Sequence, residues 1–154
     1  MPILLKPLDP TGKFESCASV IFVVCPVCPR MCLAVEKKEP YFSISRLLRK
    51  KDFFGEFITA GREALEREKI RTDCFKTPLL SAMMCLWPEN LRIQLMRQAE
   101  HFDAVAVIGC QSAVHTVTAA TSALNIRIVP MMEEHGVANF KTEIRFPFTM
   151  ELSA

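Results

Sequence analysis

"SVIFVVCPVCPRMC", residues 19–32, joins an unbroken apolar run to three cysteines. Val20, Ile21, Phe22, Val23 and Val24 show no polar alternation, the mark of a strand buried on both faces of a parallel sheet. "DAVAVIGC", residues 103–110, has the same form and closes on Cys110. Between them, "TPLLSAMMC", residues 77–85, reads as a further short strand, ending at Cys85. "IRIVPMM", residues 126–132, reads as the last of the set.

Helical segments separate these runs. Ser43 or Ser45 is a candidate N-cap for a helix reaching about Lys69, with Leu47, Leu48, Phe54, Phe57, Ile58, Ala64 and Leu65 at near-helical spacing. Arg46, Arg49, Lys50, Lys51, Arg62 and Arg67 make its other face basic, which reads as solvation. "WPENLRIQLMRQAEHF" starts a second helix, with Pro88 and Glu89 in the first turn and Leu91, Leu95, Met96 and Ala99 as its buried stripe. "QSAVHTVTAATSALN" reads as a third, closed by Asn125. Alternating strands and helices predict an α/β fold: a single doubly wound three-layer domain over residues 1–154, with about four parallel strands.

The two ends differ from this core. Residues 1–15 contain Pro2, Pro7, Pro10 and Gly12 and read as an irregular arm. In "TEIRFPFTMELSA", Ile144, Phe146, Phe148, Met150 and Leu152 alternate with Glu143, Arg145, Pro147, Thr149 and Glu151. Period two predicts one half-buried strand over residues 142–152. Pro147 cannot donate to a ladder, so the strand is placed at an edge or exchanged with a second subunit.

Composition bounds the function. The chain has 154 residues, of which 50% are hydrophobic and 23% charged, so it has enough apolar surface for a core. A net charge of +2 gives no electrostatic argument for nucleic acid. Neither a secretory leader nor a membrane span is evident. Seven cysteines, an odd number without a leader, point to a reducing, cytoplasmic setting rather than to a disulfide framework.

In a parallel sheet every strand's carboxyl end lies at one edge, where open α/β folds bind ligands. The expected thiol cluster is therefore Cys25, Cys28, Cys32, Cys85 and Cys110, with Cys28 and Cys32 supplied by the loop after the first strand. Such a cluster suits a soft metal ion or an iron–sulfur centre, a thiol–disulfide pair, or ordinary buried cysteines. Cys17 and Cys74 lack the placement and read as structural. His115, near the start of the helix after Cys110, is a further ligand candidate, though a capping or exposed role explains it better. His101 sits at a helix end. Glu133, Glu134 and His135 form either a turn or a polar rim.

A strand ending in C-x2-C, a second ending "MMC", a Pro- and Glu-started helix and a strand ending "AVIGC" together resemble the delta (iron–sulfur) subunit of methyl-viologen-reducing hydrogenase. The resemblance covers roughly residues 19–120. It implies an iron–sulfur cluster held by Cys25, Cys28, Cys85 and Cys110 and an electron-transfer role beside a partner redox enzyme. Zinc in the same thiolate cage would be structural or a Lewis acid. The alternatives are a thiol–disulfide oxidoreductase, with Cys25 as nucleophile and Cys28 as resolving thiol in "CPVC", and a non-catalytic module dimerising through the C-terminal strand.

Overall fold

The computed structural model describes residues 2–10, 12–43, 52–78, 83–146 and 148–153. At its centre lie four parallel strands: β2 (Ser19–Val24), β4 (Arg71–Cys74), β5 (Ala104–Ile108) and β6 (Arg127–Pro130), in the order β4-β2-β5-β6. β2 and β5 are the inner strands, in register from Val20 opposite Ala104 to Val24 opposite Ile108. Their apolar runs follow from that position, since an inner strand covered on both faces has no side for a polar residue. The outer strands carry Arg71, Asp73 and Arg127 on exposed positions. Asp103 fixes the register at the amino end. Its carboxylate accepts from the N–H groups of Ala18 and Ser19 at 2.8 and 2.9 Å and from the Ser19 hydroxyl at 3.0 Å.

Among the described residues, four helices accompany this sheet: α1 (Cys28–Lys37), α2 (Phe53–Arg67), α3 (Glu89–Ala99) and α4 (Gln111–Ala120). Side chains alternating along β2 and β5 divide the core. Val20, Phe22, Ala104 and Ala106 pack with Leu33 and Ala34 of α1 and Phe53, Phe54 and Leu65 of α2. Ile21, Val23, Val105 and Val107 pack with Leu91, Leu95 and Ala99 of α3 and Ala113 and Val117 of α4. Asp52 starts α2: one carboxylate oxygen accepts from the Phe54 N–H at 3.1 Å, and the other pairs with Arg30 of α1 at 2.7 Å. Among the described residues, no helix is long and apolar enough to cross a membrane.

Two smaller antiparallel sheets flank the core. β1 (Ile3–Pro7) pairs with β7 (Met132–Val137), and β3 (Phe42–Ser43), β9 (Thr149–Ser153) and β8 (Lys141–Arg145) form a sheet in the order β3-β9-β8.

Several expectations are corrected. The amino-terminal arm is a strand over residues 3–7, because β7 supplies a ladder and Leu5 inserts into the core at 2% exposure. The tail is a hairpin, not one strand: β8 and β9 pair antiparallel, with Arg145 opposite Thr149. Its period-two pattern persists because both arms share one pleat phase. β9, not an edge of the parallel sheet, is the middle of its own three strands. The second parallel strand is Arg71–Cys74 rather than a strand ending at Cys85; residues 79–82 of the stretch expected to form it lie outside the described residues. Its polar composition hid it, whereas Met84–Leu86 form a 3₁₀ turn leading into α3. Ser43 lies in β3 and the cap of α2 is Asp52; Ser45, Leu47, Leu48 and the basic residues 46 and 49–51 lie outside the described residues. α4 stops at Ala120, before Asn125.

Candidate functional site

Strand order reverses between β2 and β5: the chain leaves β2 for β4 on one side and β5 for β6 on the other. Their carboxyl ends therefore border the crevice where open parallel sheets place ligands. Cys25 and Cys110 stand there. The Cys25 N–H donates to the Ile108 carbonyl at 2.8 Å, extending the β2–β5 ladder by one residue. Cys110 is the N-cap of α4, its carbonyl accepting from Ala113 and Val114 at 2.9 and 3.1 Å.

Gly109 makes this approach feasible. A Cβ there would lie 2.5 Å from the Ala113 Cβ, closer than side-chain atoms tolerate, and 3.4 Å from the Cys25 Cβ. The absent side chain lets α4 start directly over the strand end.

Cys28 opens α1, with Pro29 in the first turn. That position corrects the loop expected after β2: Pro suits a helix start, and Pro29, Cys32 and Leu33 then share a buried face. Cys25 is 6% exposed. Burial pushes its thiol up, opposed by the Met84 and Val27 N–H groups that donate to its sulfur, and the neighbouring Cys28 and Cys110 push it up further. Cys28 and Cys110 are thus both close enough to act on the charge of Cys25.

Cys85 follows Met84 in the 3₁₀ turn and is exposed. Met84, fully buried, anchors the turn beside Cys25, and the turn packs against α4. Cys85 is thus carried by a turn next to Cys25 rather than by a strand end, and its side chain is exposed.

Cys32 is differently engaged. Its thiol donates to the Ile3 carbonyl at 3.3 Å, and the Leu5 N–H donates to its sulfur at 3.3 Å, so it ties β1 to α1. Burial raises its pKa most, and Cys28 adds to the rise. Cys74 ends β4, the strand-end placement the sequence reading denied it. Its thiol is also raised by burial, against the opposing charge of Arg62. The signal for Cys74 was weak, because an edge strand of "RTDC" carries no apolar run.

His115 is exposed on α4. His101 lies 3.5 Å from Glu100, and His135 lies 3.2 Å from Glu133. Glu133, Glu134 and His135 belong to β7 rather than to a turn, because β1 offers them a ladder. Glu134 reaches the sheet edge: its carboxylate accepts from the Gln111 N–H at the first turn of α4, next to Cys110. Sequence alone gave no sign of that contact, which spans two elements.

Among the described residues, which include all seven cysteines, no disulfide forms and no three His, Cys, Asp or Glu side chains make a ready group for one metal ion. Comparison of the chain with protein families, curated proteins and solved structures gives no match.

Proposed function

We propose that this chain is an electron-transfer protein of a reducing, cytoplasmic setting. In this reading it is a doubly wound three-layer domain whose sheet edge holds an iron–sulfur cluster through Cys25, Cys28, Cys85 and Cys110. The supporting observation is the thiol group at the strand reversal: Cys28 and Cys110 within electrostatic reach of Cys25, with the turn bearing Cys85 bonded to the Cys25 sulfur through Met84. Sulfur donors suit the cluster chemically. Cys85 is exposed and Cys25, Cys28 and Cys110 do not stand as a ready metal group, so binding a cluster would have to draw the four thiols together. The groups that act are the chain's own. Met84 and Val27 N–H groups hold negative charge at the Cys25 sulfur, and the apolar layer around Cys25 excludes water from it. Met83 and Leu86, 46% and 69% exposed, flank Cys85 and offer an apolar contact for a redox partner. A bound cluster would supply the one-electron chemistry.

The thiol–disulfide reading keeps one support, Cys28 in the first turn of α1 three residues after Cys25. Burial that disfavours the Cys25 thiolate argues against Cys25 as its nucleophile.

Protein purified without oxygen tests this directly, by iron and acid-labile sulfide analysis and by the electron paramagnetic resonance of the reduced sample. Iron with sulfide, lost in Cys25→Ser and Cys110→Ser but kept in Cys17→Ser, is the expected result. Zinc alone would remove the electron-transfer role and keep the thiolate site. Metal-free protein with a titratable Cys25–Cys28 disulfide would replace the proposal by the oxidoreductase.

A further inference from the structure

The C-terminal hairpin exposes more apolar surface than a solvated element needs. Phe146 is 93% exposed, Ile144 72% and Phe148 65%. Phe148 also has a φ of +54°, a left-handed conformation that a bulky side chain adopts at a cost. Backbone strain held at an exposed aromatic tip points to a use for the tip. β8 is an edge strand, with β9 on one side and no described strand on the other, and every one of its residues is exposed. Such an edge is a template for pairing with another chain.

We propose that the occupant of this edge is a second copy of the same chain, β8 pairing antiparallel with its counterpart across a twofold axis at Ile144. The sequence of β8 is self-complementary in that register. Ile144 meets the partner's Ile144. Glu143 stands opposite the partner's Arg145, and Arg145 opposite the partner's Glu143. Thr142 faces the partner's Phe146, the residue that follows β8. Opposite charges across strands stabilise a sheet, and like charges there oppose it. Within one chain Arg145 already lies 3.0 Å from Glu143 and 3.4 Å from Glu151, so pairing extends an existing charge network.

The register also aligns apolar residues across the joint. Phe42, Met150 and Ile144 are cross-strand neighbours in one chain. With the partner they continue as one row over six strands. Taking ~200 Å² for a phenylalanine, the exposed parts of Ile144, Phe146 and Phe148 are roughly 400–500 Å² of apolar surface per chain. Two copies bring that to roughly 800–1,000 Å², the lower end of the range for a biological interface and the size of a weak, concentration-dependent dimer. A twofold contact uses the same patch on both subunits, as this strand does.

Sedimentation and light-scattering mass measurements on the full chain test the proposal. The expected mass is twice the 17.4 kDa monomer. Glu143→Arg places like charges opposite each other and should give a monomer with an unchanged far-ultraviolet spectrum. The double variant Glu143→Arg/Arg145→Glu restores both opposed pairs and should restore the dimer. Wild-type protein that remains monomeric at about 100 μM overturns the proposal. So does a dimer indifferent to Glu143→Arg, or one that the charge swap fails to recover. If Glu143→Arg does not fold, Ile144→Lys, which sets two ammonium groups at the axis, replaces it with the same expected monomer.

Discussion

β5 and β8 are both five-residue strands, yet every residue of β5 is buried and every residue of β8 is exposed. β5 lies inside a sheet with strands on both sides and helices packed on its alternate residues. β8 closes a hairpin and, among the described residues, has one neighbouring strand. Apolar content therefore does not decide burial by itself: Phe146 beside β8 is as apolar as Phe22 of β2, and their exposures are 93% and 0%. The difference lies in what covers the strand. A continuous apolar run demands cover on two faces and finds it within the chain. An alternating run leaves one face and one edge for something else.

The same substitution at the two strands should give the widest contrast. Val107→Asp puts an uncompensated carboxylate into the core and is expected to cost more than about 4 kcal/mol, enough to unfold the chain. Lys141→Asp on β8 should change stability by about 0.5 kcal/mol or less. Equal losses in urea titrations of the two variants would erase the distinction.

A smaller effect tests whether α3 is part of the cover. Leu95, fully buried, packs against the face carrying Val105 and Val107. Leu95→Ala should cost about 2–5 kcal/mol, with the spread set by how far the cavity collapses. A loss under 1 kcal/mol would mean that this helix is not tightly seated.

Asp52 joins the covering helices to each other. Asp52→Ala removes the cap of α2 and the Arg30 ion pair together and should cost about 1 kcal/mol. Arg30→Met keeps the cap and should recover about half of that loss if the cap dominates. Thermal melts of both variants make the comparison.

The smallest expected effect depends on pH. Hydrogen bonds from the Ala18 N–H, the Ser19 hydroxyl and the Ser19 N–H hold the Asp103 carboxyl below its ordinary value. A depressed folded-state pKa favours the ionised folded form. Its stabilisation is therefore present above the unfolded value near 3.9 and lost as pH falls through the folded one. Asp103→Asn should melt below wild type at pH 7, and the gap should narrow below about pH 4. A gap constant from pH 7 to pH 3 would show that charge plays no part.

The parallel core was legible because its inner strands need unbroken apolar runs, and "SVIFVV" and "AVAVI" announce themselves in that way. β4 was not, because an edge strand exposes Arg71 and Asp73 and resembles a loop. The sequence placed Cys25 and Cys110 at strand ends, and the structure puts both beside the strand reversal. Cys85 was misplaced on a strand because "MMC" after an apolar stretch has the same composition in a 3₁₀ turn as in a strand. Contacts between distant segments left no local trace: Glu134 at the start of α4, and Cys32 against β1, depend on pairings that no window of sequence contains.

Gly109 carries a consequence for variation of the chain over time. The 2.5 Å separation between a would-be Cβ and the Ala113 side chain leaves no room for both residues to gain atoms. A descendant that keeps Cys25 and Cys110 facing the strand reversal must hold glycine at 109, or else exchange it for alanine only together with glycine at 113. Positions 109 and 113 would then change as a pair, and a lineage that enlarges both would have abandoned the site even where its cysteines persist.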